Sequence, residues 1–227
     1  MTAPIAVLGA GGRVGRAVIA EAARRGHPVI AIVRGPARHD DLRGPGVTLA
    51  AGDALDSGSL VRAAAGARGL VCAVTPFSAP PASFSGFDPG YYERVFAAVT
   101  ATGVPRAVVV GLFATMHTPD DGRVLDDPEL FPAALRPFAR AHADGIERLR
   151  AEPGADWIVL SPPPGLHPDA VPTGRYRLTE PVVDRRWWDR PLAHADLALA
   201  VLDELDHPTA RRAHLAVHSV DRHAREG

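Results

Sequence analysis

Ile5-Ala6-Val7-Leu8-Gly9-Ala10-Gly11-Gly12-Arg13-Val14-Gly15 opens the chain's ordered pattern. An apolar run ends in a cluster of small residues, and an Ala-rich amphipathic stretch follows from Arg13 to Arg25. A short apolar run ending in glycine suits a strand covered on both faces, and the stretch after it suits a helix that Gly26 closes. Small residues let such a chain turn tightly. The turn leaves the first N–H groups of the helix, and the positive end of its dipole, without backbone partners. In the first βα turn of a βαβ unit this is a pyrophosphate site. The spacing is GxxGxxG, with glycines at 9, 12 and 15; GxGxxG fails because position 14 is Val. Gly9, Gly11, Gly12, Arg13, Val14 and Gly15 are therefore candidate dinucleotide contacts.

The same alternation continues outward. Further strands are expected at VIAIVR from Val29, VTLAAGD from Val47, GLVCAVTP from Gly69, RAVVVG from Arg106 and WIVLS from Trp157. Helices are expected over Ser57–Ala65 with Ser57 as N-cap, Tyr91–Thr102 closed by Gly103, Arg136–Arg150 and Ala195–Leu205. HLAVH from His214 reads as a final edge strand, and Asp221–Gly227 as a frayed tail. Continuously apolar strands alternating with helices predict an α/β fold, a Rossmann-like doubly wound parallel sheet. The chain reads as a single domain over 1–227, with a small C-terminal substrate lobe from about 112–135 and 161–194.

Composition narrows the chemistry. The 227 residues hold 25 basic and 26 acidic side chains, and all 25 basic ones are Arg; Lys, Asn and Gln are absent. A lysine Schiff base, a P-loop lysine and a lysine base are thereby excluded. A net charge of −1 argues against a nucleic-acid partner. No apolar run is long enough to span a membrane. One Cys, Cys72, excludes an internal disulfide and a cysteine-based zinc site, and no histidine spacing suggests another metal. The start of the chain lacks a charged lead and a long apolar core, so no signal peptide is expected. A cytoplasmic protein, monomer or homodimer, acting on a small molecule is the expectation.

Arg34 ends the second strand, where an acid would hold a ribose 2′-hydroxyl and an Arg suits a 2′-phosphate; Arg13 can join it. NADP(H) is the expected cofactor. Asp53 and Ala54, past the third strand, are expected beside the adenine, although Asp53 can instead cap the next helix. Val74, Thr75 and Pro76, past the fourth, are expected under the nicotinamide ribose.

The chain resembles the atypical short-chain dehydrogenase/reductase superfamily, and within it the small NmrA-like NAD(P)H-binding proteins. That group includes proteins called NADH-flavin reductases and relatives of biliverdin reductase B. GAGGRVG (9–15), Val33-Arg34, Gly52-Asp53, GVPRAVVVG (103–111), DWIVLSPPP (156–164), TGRYRL (173–178) and ADLALAVLDEL (195–205) carry the resemblance. It implies a Rossmann sheet, a small substrate lobe and an NADP cofactor. Two departures stand out. Where relatives read GGAGSL this chain reads Gly111-Leu112-Phe113-Ala114-Thr115-Met116, with Phe113 in place of a hydroxyl. Where relatives read PAEYKPEA it reads Pro132-Ala133-Ala134-Leu135-Arg136-Pro137-Phe138-Ala139, with Leu135 at the Tyr position.

The superfamily's acid is a Tyr activated by a Lys, and no Lys exists here. Histidines are the remaining acid/base candidates: His117 after the fifth strand, His142 on the following helix and His167 in the Pro-rich loop after the sixth. Phe77, Phe113, Pro163 and Trp187 are candidate substrate contacts. Phe77 belongs to a loop whose aromatics can form a platform or simply pack. These features point to an NADPH-dependent reductase of a conjugated small molecule: a flavin, a quinone or an aromatic natural-product intermediate. The alternatives are a non-redox isomerase, cyclase or dehydratase on the same fold, and an NADP(H)-sensing regulator.

Overall fold

The computed structural model describes residues 2–77 and 84–220. Apolar runs with no polar face require cover on both sides, and β1 (Ile5–Leu8) is buried at every residue. It pairs in parallel with β2 (Val29–Val33), which pairs with β3 (Val47–Ala51). On its other side it pairs with β4 (Gly69–Cys72), followed by β5 (Ala107–Val110) and β6 (Trp157–Ser161). β7 (Leu166–His167) and β9 (Leu192–Ala193) form a separate short ladder. β8 (Tyr176–Thr179) and β10 (Ala213–Ser219) complete an eight-stranded sheet of order β3-β2-β1-β4-β5-β6-β10-β8. The C-terminal run is not an edge strand as expected. β10 lies between β6 and β8, parallel to one and antiparallel to the other, and the TGRYRL segment supplies the edge.

Helices cover both faces. α1 (Arg13–Arg24) ends in Gly26 at φ +72°, with Gly26 N–H donating to Ala23 and His27 N–H to Ala22, which closes the helix C-terminus. α2 (Ser57–Ala63) is capped by Asp56, whose carboxylate accepts from Ser59 N–H at 3.0 Å. Asp56 takes the place expected for Ser57 because Ser57 is already the first helical residue and the cap is the extended residue before it. α3 (Tyr91–Ala101) and α4 (Arg136–Ala151) pack together on the face of α2. α1 packs against α6 (His194–Asp206) on the opposite face. α5 (Arg185–Trp188) is a single turn beside β10. No helix among the described residues is long and apolar enough to cross a membrane.

Polar groups tie the layers at chosen points. Arg106, 4% exposed, donates to Glu204 Oε2 at 2.8 Å, to Asp156 Oδ1 at 2.9 Å and to the carbonyl oxygens of Glu204 and Ala210. Asp196, 1% exposed near the start of α6, accepts from Thr173 N–H, Thr173 Oγ1–H and Gly174 N–H. This contact joins the TGRYRL turn to the ADL segment. A third apolar cluster unites Ala114, Met116, Leu125 and Phe131 with Val183 and the flank of α4. Both segments expected to form the small lobe contribute to it.

His142 belongs to the core and not to the sheet rim. On α4, 4% exposed, its ring is 3.6 Å from that of Tyr92 and is flanked by Phe96 and Phe138. Burial pulls its pKa down to about 3. The imidazole is therefore neutral at working pH and is no imidazolium acid. Unfolding frees it to take up a proton below its ordinary value of 6.5. Between those two values the unfolded chain binds more protons, so stability falls as pH falls. Each such group contributes a slope of up to about 1.4 kcal/mol per pH unit. Urea midpoints should drop between pH 7 and pH 5, and His142→Leu should flatten that dependence. Equal slopes in the two proteins would contradict the burial argument.

Candidate functional site

The chain runs outward from β1 to β2 and β3, then crosses to β4 on the other side. Connections leaving in opposite directions open a crevice at the carboxyl ends of β1 and β4, the position where ligands bind in such sheets. The glycine turn lies in this crevice. Gly9 has φ +83°, and a Cβ there would lie 2.4 Å from the Ala73 carbonyl oxygen. A Cβ on Gly15 would lie 2.3 Å from the Gly9 carbonyl oxygen. Backbone alone can pass at these distances, so α1 starts hard against the strand ends.

Gly12 is the N-cap and brings no side chain to the helix end; α1 has no acid in its first turn. The first helical bond runs from Arg16 N–H to Gly12 at 2.9 Å. The amides of Arg13, Val14 and Gly15 precede it and have no helical acceptor. The turn thus offers several N–H donors and a positive dipole end with nothing to neutralise them.

Arginines around the turn divide into two sets. Arg16 pairs with Asp41 at 2.5 Å and Arg43 with Asp40 at 2.9 Å. Arg13, Arg34 and Arg38 are exposed, and among the described residues none of their side chains makes a hydrogen bond or ion pair. Arg34 and Arg38 flank the loop after β2, and the His39 ring closes that loop against Gly11. Asp53 is exposed, and its Oδ1 accepts from Leu55 N–H at 2.9 Å. It does not cap α2, because Asp56 does. Ala54 beside it is buried. Tyr91, at the start of α3, lies close enough to Arg34 and Asp53 for their charges to bear on its hydroxyl, which burial pushes up in pKa. Tyr91, Arg38 and His39 had no signal in the sequence beyond residue type, because only the fold brings α3 and this loop to the ends of β2 and β3.

Val74 and Thr75 follow β4. The Val74 carbonyl accepts from Tyr92 O–H at 3.2 Å, and Thr75 Oγ1 donates to the Phe77 carbonyl at 3.0 Å, with Pro76 between them. The Phe77 ring lies 5.2 Å from that of Phe84 and 5.1 Å from that of Phe138. The described loop aromatics therefore pack on α4 and on one another; the middle of that loop, 78–83, lies outside the described residues, as does the tail from 221.

Several expected contacts are placed elsewhere. Phe113 meets Phe131 at 5.6 Å and Trp188 at 5.7 Å, edge-on. Trp187 instead has the guanidinium groups of Arg177 and Arg190 over its ring, 5.7 and 5.0 Å from the ring centre, and lies 6.0 Å from His218. On one turn of α5 adjacent side chains diverge, so Trp188 and not Trp187 joins Phe113. Pro163 is buried. A hydroxyl does persist after β5: Thr115, two residues beyond Phe113, donates to the Leu112 carbonyl at 2.8 Å.

Of the three candidate histidines, His142 is in the core and His117 faces a separate cleft beside Thr115 and His214. His167 is exposed on β7, and Asp169 N–H donates to its Nδ1 at 3.2 Å. Burial, then the charges of Arg13 and His167, hold His194 below its ordinary pKa. His167 and His194 thus share the neighbourhood of Arg13 at the start of α1. Among the described residues no group of three or more His, Cys, Asp or Glu is placed to hold a metal.

The turn has the shape of a pyrophosphate cradle, with exposed, unpaired arginine side chains beside it. The chain is similar to the uncharacterised protein YwnB of Bacillus subtilis (strain 168), 28% identical over 219 residues, covering 94% of this chain and 97% of that one. It is similar in structure to a candidate epimerase of Bacteroides thetaiotaomicron, with 26% identity and a TM-score of 0.82, covering 98% of this chain and all of that one. A candidate NADH-flavin reductase of Streptococcus pneumoniae shares the fold, at 23% identity and a TM-score of 0.77, over 96% of this chain and all of that one. Residues 9–208 match the profile of the NAD(P)H-binding family, and the chain belongs to that family.

Proposed function

We propose that the protein is an NADPH-dependent reductase of a conjugated small molecule such as a flavin or a quinone. The observation that carries this reading is the free cationic set, Arg13, Arg34 and Arg38, beside a glycine turn with unsatisfied amides. The amides of Arg13, Val14 and Gly15 would receive the pyrophosphate, Arg34 and Arg38 the 2′-phosphate, Asp53 and Tyr91 the adenosine. When bound, the nicotinamide supplies a hydride. An acceptor that stabilises charge by conjugation needs little help from a protein acid. That suits a chain without lysine whose His142 is held neutral. His167, exposed near Arg13, remains as proton donor. Phe113, Phe131 and Trp188 give the small lobe an apolar aromatic wall suited to a flat substrate. Binding and alignment are the protein's contribution.

A second reading is a non-redox isomerisation on the same fold, favoured by the likeness to the candidate epimerase. The two separate cleanly. NADPH should be oxidised in the presence of at least one member of a flavin and quinone panel. Tight NADPH binding with no oxidation across the panel would remove the reductase reading.

Arg34→Glu should weaken NADPH binding roughly 10- to 100-fold while leaving NADH binding nearly unchanged, since one charge-assisted contact is worth about 1.5–3 kcal/mol. Equal losses for both cofactors in a fluorescence titration would sink the 2′-phosphate assignment. His167→Ala should lower kcat modestly and alter its pH profile, with cofactor affinity retained. An unchanged kcat and pH profile would retire His167 as the donor.

A further inference from the structure

The loop after β2 folds back over the glycine turn, and two glycines make room for it. A Cβ on Gly11 would lie 2.5 Å from Cε1 of His39, 3.0 Å from its Nδ1 and 3.1 Å from its Nε2. A Cβ on Gly35 would lie 3.1 Å from Nε of Arg38 and 3.2 Å from its Nη2. The imidazole thus occupies the volume that a side chain at position 11 would fill, and the Arg38 guanidinium lies over the residue that follows Arg34. Neither glycine has a positive φ, so what glycine supplies at both positions is space. Arg34, Arg38 and His39 are gathered in this way beside the turn.

Backbone contacts hold the imidazole in place. His39 N–H donates to the Pro36 carbonyl at 3.0 Å, and the His39 carbonyl accepts from Leu42 N–H at 3.0 Å. Leu42 is buried in the apolar cluster that includes Val18 and Ile19 of α1. Arg16 donates to the Gly11 carbonyl at 3.0 Å and pairs with Asp41 at 2.5 Å, which fastens the loop to the turn. The loop's two carboxylates are engaged by other arginines, Asp40 by Arg43 and Asp41 by Arg16. The two nitrogens of the half-buried His39 ring differ. Nδ1 is buried and has no hydrogen-bond partner, whereas Nε2 is not sealed and makes no hydrogen bond among the described residues. A proton on Nδ1 would be buried without an acceptor, at the cost of its hydration. The neutral ring therefore carries its proton on Nε2, and presents one N–H donor beside two free guanidinium groups.

We propose that His39 is a specificity-determining residue of the cofactor site: its Nε2–H donates to the 2′-phosphate of NADPH, alongside Arg34 and Arg38. This role rests on the placing of the 2′-phosphate at those two arginines. The guanidinium groups supply charge, and the imidazole, fixed against Gly11, adds a donor of set direction. NADH carries a hydroxyl in place of the phosphate and gains little from that donor. Loss of the donor should weaken NADPH binding about tenfold, the worth of one hydrogen bond to a charged group, and leave NADH binding unchanged.

The test compares NADPH and NADH dissociation constants by fluorescence titration in the wild-type protein, His39→Phe and His39→Gln, each checked for an unchanged melting temperature. Phe keeps a ring against Gly11 and removes the donor, whereas Gln keeps an N–H donor of similar reach. His39→Phe should bind NADPH about tenfold more weakly with NADH unaffected, and His39→Gln should recover most of that loss. An unchanged ratio of the two affinities in His39→Phe, equal losses for both cofactors, or a Gln variant as weak as the Phe variant would each overturn the role of His39. If Arg34→Glu still abolishes the preference for NADPH in those cases, the 2′-phosphate reading stands without His39. Equal affinity of the wild-type protein for NADPH and NADH would overturn both.

Discussion

The approach of backbone to backbone at the first βα turn governs the rest of this structure. Gly9 passes the carbonyl of Ala73, and Gly15 passes that of Gly9, at distances that no side chain permits. These contacts seat α1 directly on the ends of β1 and β4, where the sheet order reverses. A methyl group at Gly15 would lift the helix away, and its free amides would no longer face the crevice. The packing of α1 on α6, and the placement of Arg13 near His194, follow from the same seating.

Charge is distributed around that turn by pairing. Arg16 and Arg43 are engaged by neighbouring aspartates, whereas Arg13, Arg34 and Arg38 are left free. A chain whose basic residues are all Arg has bidentate donors everywhere, so what leaves one available to a phosphate is that no carboxylate pairs with it. The histidines are shaped by the opposite process. Burial makes His142 and His214 neutral, and aromatic packing holds Phe77 against the core.

The strands, the helices and the glycine turn were legible in the sequence because their signals are local. Apolar runs need cover on both faces, and GAGGRVG can do little else between a strand and a helix. Arg34 was legible because it stands one residue past a strand end. Differences arise where the helix start or the direction of a side chain decides. Asp56 and not Ser57 caps α2, Trp188 and not Trp187 meets Phe113, and the hydroxyl that Phe113 seemed to displace persists at Thr115. The TGRYRL and ADLALAVLDEL segments are separate motifs in the sequence, and the fold joins them through Asp196, which holds the Thr173-Gly174 turn.

By itself the sequence determined the fold class, the cofactor class and the exclusion of a Tyr–Lys mechanism, since each depends on residue type and local spacing. Tertiary structure alone decided which histidines are buried, which arginines are free, and that β10 lies inside the sheet with β8 at its edge. It also laid the His39 ring against Gly11, from a separate loop. Desolvation and pairing are properties of neighbours in space, and a one-dimensional pattern does not carry them.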